Sequence, residues 1–125
     1  SLIDLINIRK KINIQLEFSW MKSNTFLRPH TDAPNKLISL MLYFPEDQNF
    51  NTENMGTIYW NYNKNNYKNI YNDRIPENEK ILYQNKFEGK TLFGFIKNHK
   101  SWHSVPKLYM PENKYRKTIN INLLF

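Results

Sequence analysis

The sequence predicts an all-β fold with a minor helical part, and three observations lead to this prediction. Apolar and polar residues alternate with a period of two in several short segments, as they do in strands with one buried face. Aromatic residues, which favour strands, make up 15% of the 125 residues. Seven or eight strand-like segments follow one another at turn-like intervals, which is typical of an antiparallel sandwich or jelly roll.

The clearest strand in the first half of the chain is predicted at residues 12–20, where apolar and polar residues alternate without interruption. Residues 1–11 are compatible with a short helix that leads into this strand. A second run at 37–44 is apolar at nearly every position and stops at Pro45, so we expect a strand that is buried on both faces. A short strand is predicted at 55–60.

The second half of the chain begins with a polar segment at residues 61–80, rich in Asn, Lys and Tyr and without a clear period. We interpret it as a long loop, which is either a lid over a substrate or a surface excursion. Further strands are predicted at 81–83, 91–96, 101–105 and 116–125, and the last of these again alternates between apolar and polar residues.

Composition and charge exclude several classes of protein. The chain has no cysteine, which excludes disulfides, a cysteine nucleophile and cysteine-ligated zinc or iron–sulfur sites. A length of 125 residues fits one domain over residues 1–125. No apolar run reaches the roughly 18 residues of a membrane span and no signal peptide is evident, so we expect a cytoplasmic location and no membrane partner. The net charge of +7 would suit nucleic acid or an anionic metabolite, but a solvated lysine-rich surface is the favoured interpretation.

Four residues that are distant along the chain could together form a metal and co-substrate site. His30 and Asp32 are two residues apart in an extended segment, so their side chains point to the same side. His103 lies in a late predicted strand, and two histidines with one carboxylate form the facial triad of non-haem Fe(II) oxygenases. Arg116 opens the closing strand, where its guanidinium can bind a carboxylate bidentately, as a metal-chelating dicarboxylate such as 2-oxoglutarate would require.

These residues lie in segments that resemble a known family. The segments are RPHTDAP (28–34), LISLMLYFPED (37–47), MGTIYW (55–60), FEGKTLFGFIK (87–97), SWHSV (101–105) and RKTINI (116–121). In their order and spacing they resemble the Fe(II)/2-oxoglutarate-dependent dioxygenases, in particular the prolyl-hydroxylase-like branch, over most of the chain. The resemblance implies a double-stranded β-helix, which is a jelly-roll barrel open at one end. The upstream helices that customarily brace the major sheet in the family are largely missing from this sequence.

The same resemblance implies roles for individual residues. His30, Asp32 and His103 correspond to the ligands of Fe(II). Arg116 corresponds to the residue that pairs with the distal carboxylate of 2-oxoglutarate, and Tyr43 stands where this branch often places a tyrosine hydroxyl on that carboxylate. We therefore expect Fe(II) as the cofactor and 2-oxoglutarate as the co-substrate.

The resemblance further implies a reaction in which O2 and 2-oxoglutarate are consumed and a C–H bond of the substrate is hydroxylated, with release of succinate and CO2. A peptidyl, prolyl-like side chain or a small molecule is the expected substrate, and nucleic acid is a less favoured one. The alternative is a jelly roll of another class, such as a cupin-like binding or isomerase domain.

Several nearby residues are assigned lesser roles. The interval from His103 to Arg116 is longer than usual in the family, which leaves Lys114 and Lys117 as substitutes for Arg116. His99 is expected to be exposed and not to bind the metal. Within the 61–80 loop, Tyr62, Tyr67 and Tyr71 are candidate substrate contacts, and the two tryptophans Trp60 and Trp102 are expected in the core or the cavity wall.

Overall fold

Eight β-strands form two four-stranded antiparallel sheets, which confirms the all-β prediction. The computed structural model describes residues 11–46, 52–72, 75 and 80–125. The strands are β1 (Asn13–Lys22), β2 (Leu27–His30), β3 (Lys36–Phe44), β4 (Ile58–Asn61), β5 (Lys80–Gln84), β6 (Leu92–Ile96), β7 (His103–Val105) and β8 (Tyr115–Leu124). Within the described ranges the only helical element is a 3₁₀ turn at Thr52–Asn54. The helix considered for residues 1–11 lies outside these ranges except for its last residue.

No helix in the described ranges is long and apolar enough to cross a membrane.

The strand order of both sheets depends on pairings between distant parts of the chain. The first sheet has the order β1-β8-β3-β6, and the second sheet has the order β2-β7-β4-β5. β1 and β8 pair along their full lengths, from Asn13 opposite Leu124 to Lys22 opposite Tyr115. Among these neighbours, only β4 and β5 are consecutive in the chain. The sheets therefore bring together segments from both halves of the sequence, which is how distant functional residues can meet.

β3 requires a correction to the sequence-based prediction. The strand exists where it is predicted, but the expectation that both faces of 37–44 are buried is wrong. Ser39 and Tyr43 on the inner face are buried between the sheets, whereas Ile38 on the outer face is half-buried and Phe44 is exposed. The reason is that none of the described residues forms a layer over the outer face of the first sheet.

β2 is a strand that the sequence pattern does not reveal. It has only four residues, with Pro29 among them, and it shows no alternation of apolar and polar side chains. Proline has no N–H to donate, so it is tolerated where one side of a strand is unpaired. β2 is such an edge strand, because within the described part of the chain it pairs only with β7.

The remaining predicted strands are present with shifted ends. The strand predicted at 55–60 is β4, which begins at Ile58, and the one predicted at 101–105 is β7, which begins at His103. Residues 62–72 have neither helix nor strand, in agreement with the predicted loop, and β5 begins at Lys80.

The space between the two sheets is partly apolar and partly polar. An apolar cluster is formed by Tyr43, Met55, Phe87, Val105 and Leu108. Elsewhere the inward positions carry polar side chains, among them Ser39 on β3 and Asn120 and Asn122 on β8, and these side chains line a cavity. Buried polar side chains around a cavity are typical of a ligand-binding site, so this cavity is the candidate location of a functional site.

Candidate metal centre

Two imidazoles face each other across neighbouring strands of the second sheet. His30 is the last residue of β2 and lies opposite His103, the first residue of β7. Their ring centroids are 4.3 Å apart, and each residue is buried. The pairing of β2 with β7 therefore fixes the relative position of two side chains that are far apart in the sequence.

The main chain holds both imidazoles in the same way. Nδ1 of His30 lies 2.8 Å from the carbonyl oxygen of Arg28, and Nδ1 of His103 lies 2.9 Å from that of Ser101. A carbonyl oxygen only accepts hydrogen bonds, so Nδ1 carries the hydrogen and donates in each ring. Each Nε2 atom then keeps its lone pair, which is the form in which a neutral imidazole binds a metal ion.

Asp32 brings a carboxylate to the same point. Its Oδ1 atom lies 3.9 Å from Nε2 of His30 and 3.6 Å from Nε2 of His103. Its Oδ2 atom accepts a hydrogen bond from the hydroxyl of Ser39 on β3, which orients the carboxylate from the first sheet. Nζ of Lys36 lies 3.4 Å from Oδ1. The structure thus brings together the three residues that the sequence proposes as ligands.

Burial and local charges set the protonation states of the three groups. Burial lowers the pKa of His103 to about 4, and repulsion from His30 acts in the same direction. Burial also lowers the pKa of His30. Burial by itself would raise the pKa of Asp32, but attraction to His103 and the hydrogen bond from Ser39 help to outweigh this effect and lower it. At neutral pH the imidazoles are therefore neutral and the carboxylate is ionised, as metal binding requires.

The geometry of the three residues suits a metal ion. One ligand atom from each of His30, Asp32 and His103 lies within 4.8 Å of the others, and all three residues are buried. An ion bound at about 2.1 Å to each ligand needs ligand atoms about 3–4 Å apart, a spacing that small side-chain rotations would reach. The group could therefore hold a divalent cation.

Aromatic rings from two other elements contact the imidazoles. Tyr71, in the loop that follows β4, stacks on His30 with ring centroids 4.6 Å apart. Phe95 of β6 contacts His103, with ring centroids 4.5 Å apart. The described part of the loop thus contacts the candidate metal centre through Tyr71.

The three residues border a cavity of about 270 Å³ between the sheets. Its polar lining includes Glu17, Lys36, Ser39, Thr57, Asn69, Asn120 and Asn122. In the described part of the chain, two buried atoms in this lining have no hydrogen-bond partner, Oδ1 of Asn69 and Nδ2 of Asn122. Because a buried polar atom without a partner is costly, the lining is better suited to a polar ligand than to an apolar one.

Arg116 on β8 is a buried cation. It is 2% exposed, and its Nε donates to the carbonyl oxygen of Met55 at 2.6 Å while Nη2 donates to Oγ1 of Thr57 at 3.2 Å. Its guanidinium carbon lies 5.4 Å and 5.2 Å from the ring centroids of Tyr43 and Phe87. No described carboxylate lies within ion-pair distance, and burial lowers the pKa of Arg116. An anion that bound here would offset the cost of burying this charge.

Thr57 connects Arg116 and Tyr43 to the cavity. The Tyr43 hydroxyl donates to Oγ1 of Thr57 and accepts from its backbone N–H, both at 3.0 Å. Thr57 lines the cavity, whereas Arg116 and Tyr43 lie behind it. The two residues that the sequence assigns to 2-oxoglutarate therefore lie together, one side chain behind the cavity wall, and their binding role stays a prediction.

The two lysines considered as substitutes for Arg116 lie at the surface. Nζ of Lys117 is 2.6 Å from a carboxylate oxygen of Glu46, and Nζ of Lys114 is 3.9 Å from the other oxygen. Both ammonium groups are thus engaged with the same carboxylate, and Arg116 is the basic residue of this segment that reaches the interior.

The remaining predicted residues pack around the loop. His99 is half-buried rather than exposed and stacks on Tyr67, with ring centroids 4.8 Å apart, and it is not part of the candidate metal group. Trp102 is buried, contacts Tyr62 and donates from Nε1 to the carbonyl oxygen of Lys64. These contacts agree with an aromatic wall that supports the loop.

Sequence reasoning did not assign a role to several residues at the centre. In the sequence, Ser39 is only a hydroxyl residue in an otherwise apolar predicted strand, and Thr57 is only a polar residue within the short strand predicted at 55–60. Lys36 and Asn122 had no local signal, because their proximity to the cavity depends on the pairing of β3 with β8.

Comparisons of the chain with models of protein families, with curated proteins and with solved structures found no match. Any functional conclusion therefore depends on the chemistry of the site.

Proposed function

We propose that the protein is an Fe(II)- and 2-oxoglutarate-dependent dioxygenase that hydroxylates a C–H bond. One observation carries the proposal: two neutral imidazoles and an ionised carboxylate meet beside a polar cavity, and the wall of that cavity contacts a buried guanidinium without a carboxylate partner among the described residues. The first group suits a metal and the second suits the far end of a dicarboxylate.

The strand order supports a double-stranded β-helix. The pairs β1–β8, β2–β7, β3–β6 and β4–β5 all occur in the two sheets. These are the pairs that form when a chain folds back on itself once and the resulting ribbon is rolled into two layers. We therefore propose the jelly-roll topology, with the candidate metal centre between its two sheets.

His30, Asp32 and His103 would hold the metal ion, and Ser39 would hold the carboxylate in place through its hydrogen bond. Two histidines and one carboxylate leave open coordination positions, and Fe(II) in such a site supplies the activation of O2. The protein contributes the geometry of the ligands and their protonation states, because burial keeps both imidazoles neutral.

Arg116 would bind the distal carboxylate of 2-oxoglutarate, with Tyr43 and Thr57 as further hydroxyl contacts. This assignment requires Thr57 to change partners, because its hydroxyl now accepts hydrogen bonds from both Arg116 and Tyr43. The loop containing Tyr71 would exclude water from the metal centre, since Tyr71 already covers one face of His30.

For the substrate we propose a peptidyl, prolyl-like side chain or a polar small molecule. The cavity lining, with Lys36, Asn69 and Asn122, offers several hydrogen-bonding groups to such a ligand. Nucleic acid stays a less favoured substrate.

The proposal is tested by adding Fe(II) and then 2-oxoglutarate to the protein without oxygen. We expect a weak visible charge-transfer band, followed by release of succinate when air is admitted. Asp32→Ala should lose both signals, whereas His99→Ala should keep both, because His99 lies outside the metal group. A folded wild-type sample with neither signal would favour the cupin-like alternative.

A further inference from the structure

A lysine ammonium and a side-chain amide line the cavity beside the carboxylate of Asp32. Nζ of Lys36 lies 3.4 Å from Oδ1 of Asp32, and the hydroxyl of Ser39 donates to Oδ2. Asn122 lies opposite Ser39 in the pairing of β3 with β8, and both Lys36 and Asn122 line the cavity. Two hydrogen-bond donors from neighbouring strands therefore reach the cavity next to the candidate metal centre.

A local irregularity of β3 directs Lys36 toward the cavity. Lys36 lies opposite Leu124 and Ile38 lies opposite Leu123, so β3 carries one extra residue at this point. Strict alternation would place Lys36 on the same side of the sheet as Ile38, which is the outer side. An extra residue of this kind re-aims the side chain at its position, and such bulges are common next to functional sites.

Asn122 is buried and offers an unused hydrogen-bond donor to the cavity. The residue is 1% exposed, and its Nδ2 atom has no hydrogen-bond partner among the described residues. A buried donor without an acceptor is destabilising. An acceptor atom of a ligand in the cavity would remove this cost.

Metal binding would leave the ammonium of Lys36 without its present partner. A divalent cation, the carboxylate of Asp32 and two neutral imidazoles together carry one positive charge, and Lys36 adds a second one beside them. Like charges at short distance repel strongly where burial limits screening by water, and the Lys36 side chain is only 19% exposed. The metal-loaded centre therefore attracts an anion.

We propose that Lys36 and Asn122 bind a carboxylate of the substrate, so that the substrate is a small carboxylic acid rather than a peptidyl side chain. An ammonium and an amide N–H together offer a carboxylate two hydrogen bonds, of which the one from the ammonium is charge-assisted. The inference rests on the proposed function, in which Arg116 takes the distal carboxylate of 2-oxoglutarate and the metal ion takes its other end.

The size of the cavity and the charge of the chain agree with such a substrate. Pockets for drug-sized ligands have volumes of about 300–1,000 Å³, whereas this cavity has about 270 Å³. A small molecule therefore fits better than a peptide segment. The net charge of +7 raises the local concentration of anions around the protein.

Glu17 is the other carboxylate in the described lining of the cavity, and it lies on the far side from Lys36. It belongs to β1, which is separated from β3 by β8. Two strand spacings correspond to roughly 10 Å. Glu17 is also exposed to solvent, so its repulsion of a bound carboxylate is much weaker than the attraction to Lys36.

The experiment compares propionate with its uncharged analogue propionamide as probes of the site. Each is titrated without oxygen into the full chain loaded with Co(II) and 2-oxoglutarate, and binding is followed by calorimetry and by the absorbance of Co(II). We expect propionate to bind to the wild type at least about tenfold more tightly than propionamide, because only propionate carries the charge that Lys36 recognises.

Lys36→Met should abolish this preference for the charged probe. Lys107→Met is the matched control, because Lys107 is exposed and does not line the cavity. It should keep the wild-type preference. An undiminished preference in Lys36→Met would mean that the carboxylate binds to the metal ion alone, and this result would overturn the proposal.

Asn122→Leu separates ligand binding from a structural role. Leucine has a similar volume and no polar side-chain atom, so the variant should be at least as stable as the wild type in urea unfolding. It should nevertheless bind propionate about fivefold to tenfold more weakly. A less stable variant with unchanged propionate binding would show that Asn122 serves packing and would overturn its part in the proposal.

The titration also distinguishes failure of this inference from failure of the proposed function. If 2-oxoglutarate itself leaves the Co(II) spectrum unchanged, the proposed function fails, and the same probes added to the protein with Co(II) alone still test the carboxylate site. If 2-oxoglutarate binds but propionate and propionamide bind equally to the wild type, the proposed function stands and the carboxylate site is overturned.

Discussion

His30 and His103 lie directly opposite each other on β2 and β7, and the Nε2 atoms of both approach the same oxygen of Asp32. Each Nδ1 donates to the carbonyl oxygen two residues earlier in its own chain segment. The two imidazoles are thus oriented by backbone atoms of paired strands, and the site is largely pre-organised for a metal ion.

Removal of one imidazole should reduce metal affinity strongly. We expect His103→Gln to weaken binding of Fe(II), or of Co(II) as a spectroscopic substitute, by more than the roughly 10–100-fold that loss of a supporting hydrogen bond causes. His99→Gln should bind like the wild type, because His99 stacks on Tyr67 away from the metal group. The measurement is an anaerobic titration followed by the absorbance of Co(II). Equal affinities of the two variants would contradict the assignment.

Lys36 should compete with the metal ion for Asp32. Its Nζ lies 3.4 Å from Oδ1, the oxygen that the imidazoles also approach. Replacing the ammonium by a neutral side chain removes a repulsive charge, so we expect Lys36→Met to raise metal affinity by about tenfold, or about 1.4 kcal/mol. Lys107→Met is the control, since Lys107 is exposed and does not line the cavity around Asp32. Weaker metal binding in Lys36→Met would show that the ammonium supports the site instead.

Alternation of apolar and polar residues was sufficient to locate the long strands, but not to assign the burial of both faces. β1 and β8 follow a period of two over their lengths, and both were predicted with small errors at their ends. β2 was missed because four residues with a proline carry no period, and it is stabilised by pairing with β7. For 37–44, the sequence could not show that no described segment covers the outer side of the strand.

Part of the site could be predicted from the spacing of residues within one short segment. The spacing of His30 and Asp32 places their side chains on one side of an extended segment, and this inference needs no tertiary information. Ser39 and Lys36 acquire their roles only when β3 lies beside β8 and faces the second sheet. Their positions follow from long-range pairing, which a single sequence does not specify.

Gly56 should be intolerant of substitution because of a close backbone approach. A Cβ atom at this position would lie 1.7 Å from the carbonyl oxygen of Asn85. Gly56 lies between Met55 and Thr57, which both accept hydrogen bonds from Arg116. We expect Gly56→Ala to lower the free energy of unfolding by about 3 kcal/mol or more.

Gly89→Ala is the matched control, measured by urea unfolding. The nearest atom to a Cβ there is Cγ of Pro45 at 3.7 Å, which is an ordinary contact. We expect its stability to change by less than about 1 kcal/mol. Similar losses in the two variants would show that the effect at Gly56 is not steric.

Stability of the metal-free protein should decrease in mildly acidic solution. Burial lowers the pKa of His103 from 6.5 to about 4 and also lowers the pKa of His30. Between these pH values the unfolded chain binds more protons than the folded one, so the free energy of unfolding falls as the pH decreases from about 6.5 to about 4. Asp32 contributes only at lower pH, because its pKa is lowered from 3.8.

Urea unfolding at a series of pH values in the presence of a chelator measures this slope. In His103→Gln the slope between these pH values should be smaller than in the wild type, because the variant lacks the imidazole whose pKa burial lowers. An unchanged slope in His103→Gln would mean that His103 titrates alike in the folded and unfolded states.

Arg116 should determine the affinity for 2-oxoglutarate without affecting the metal. We expect Arg116→Met to bind Fe(II) like the wild type, because the guanidinium does not contact the three metal ligands and instead contacts Met55 and Thr57. Loss of a buried charge partner should raise the Kd of 2-oxoglutarate by at least about 30-fold, measured by anaerobic calorimetry on the metal-loaded protein. Arg116→Lys should lie between the two, since an ammonium keeps the charge but cannot bind the carboxylate bidentately.

Lys117→Met is the control for Arg116, because it removes a cation from the next residue of the same strand. Lys117 pairs with Glu46 at the surface, so we expect its loss to leave 2-oxoglutarate binding unchanged. If Lys117→Met weakened binding and Arg116→Met did not, the carboxylate would have to bind away from the buried hydrogen-bonded group of Arg116, Tyr43 and Thr57. The buried guanidinium would then serve the packing of β8 against Met55 rather than the co-substrate.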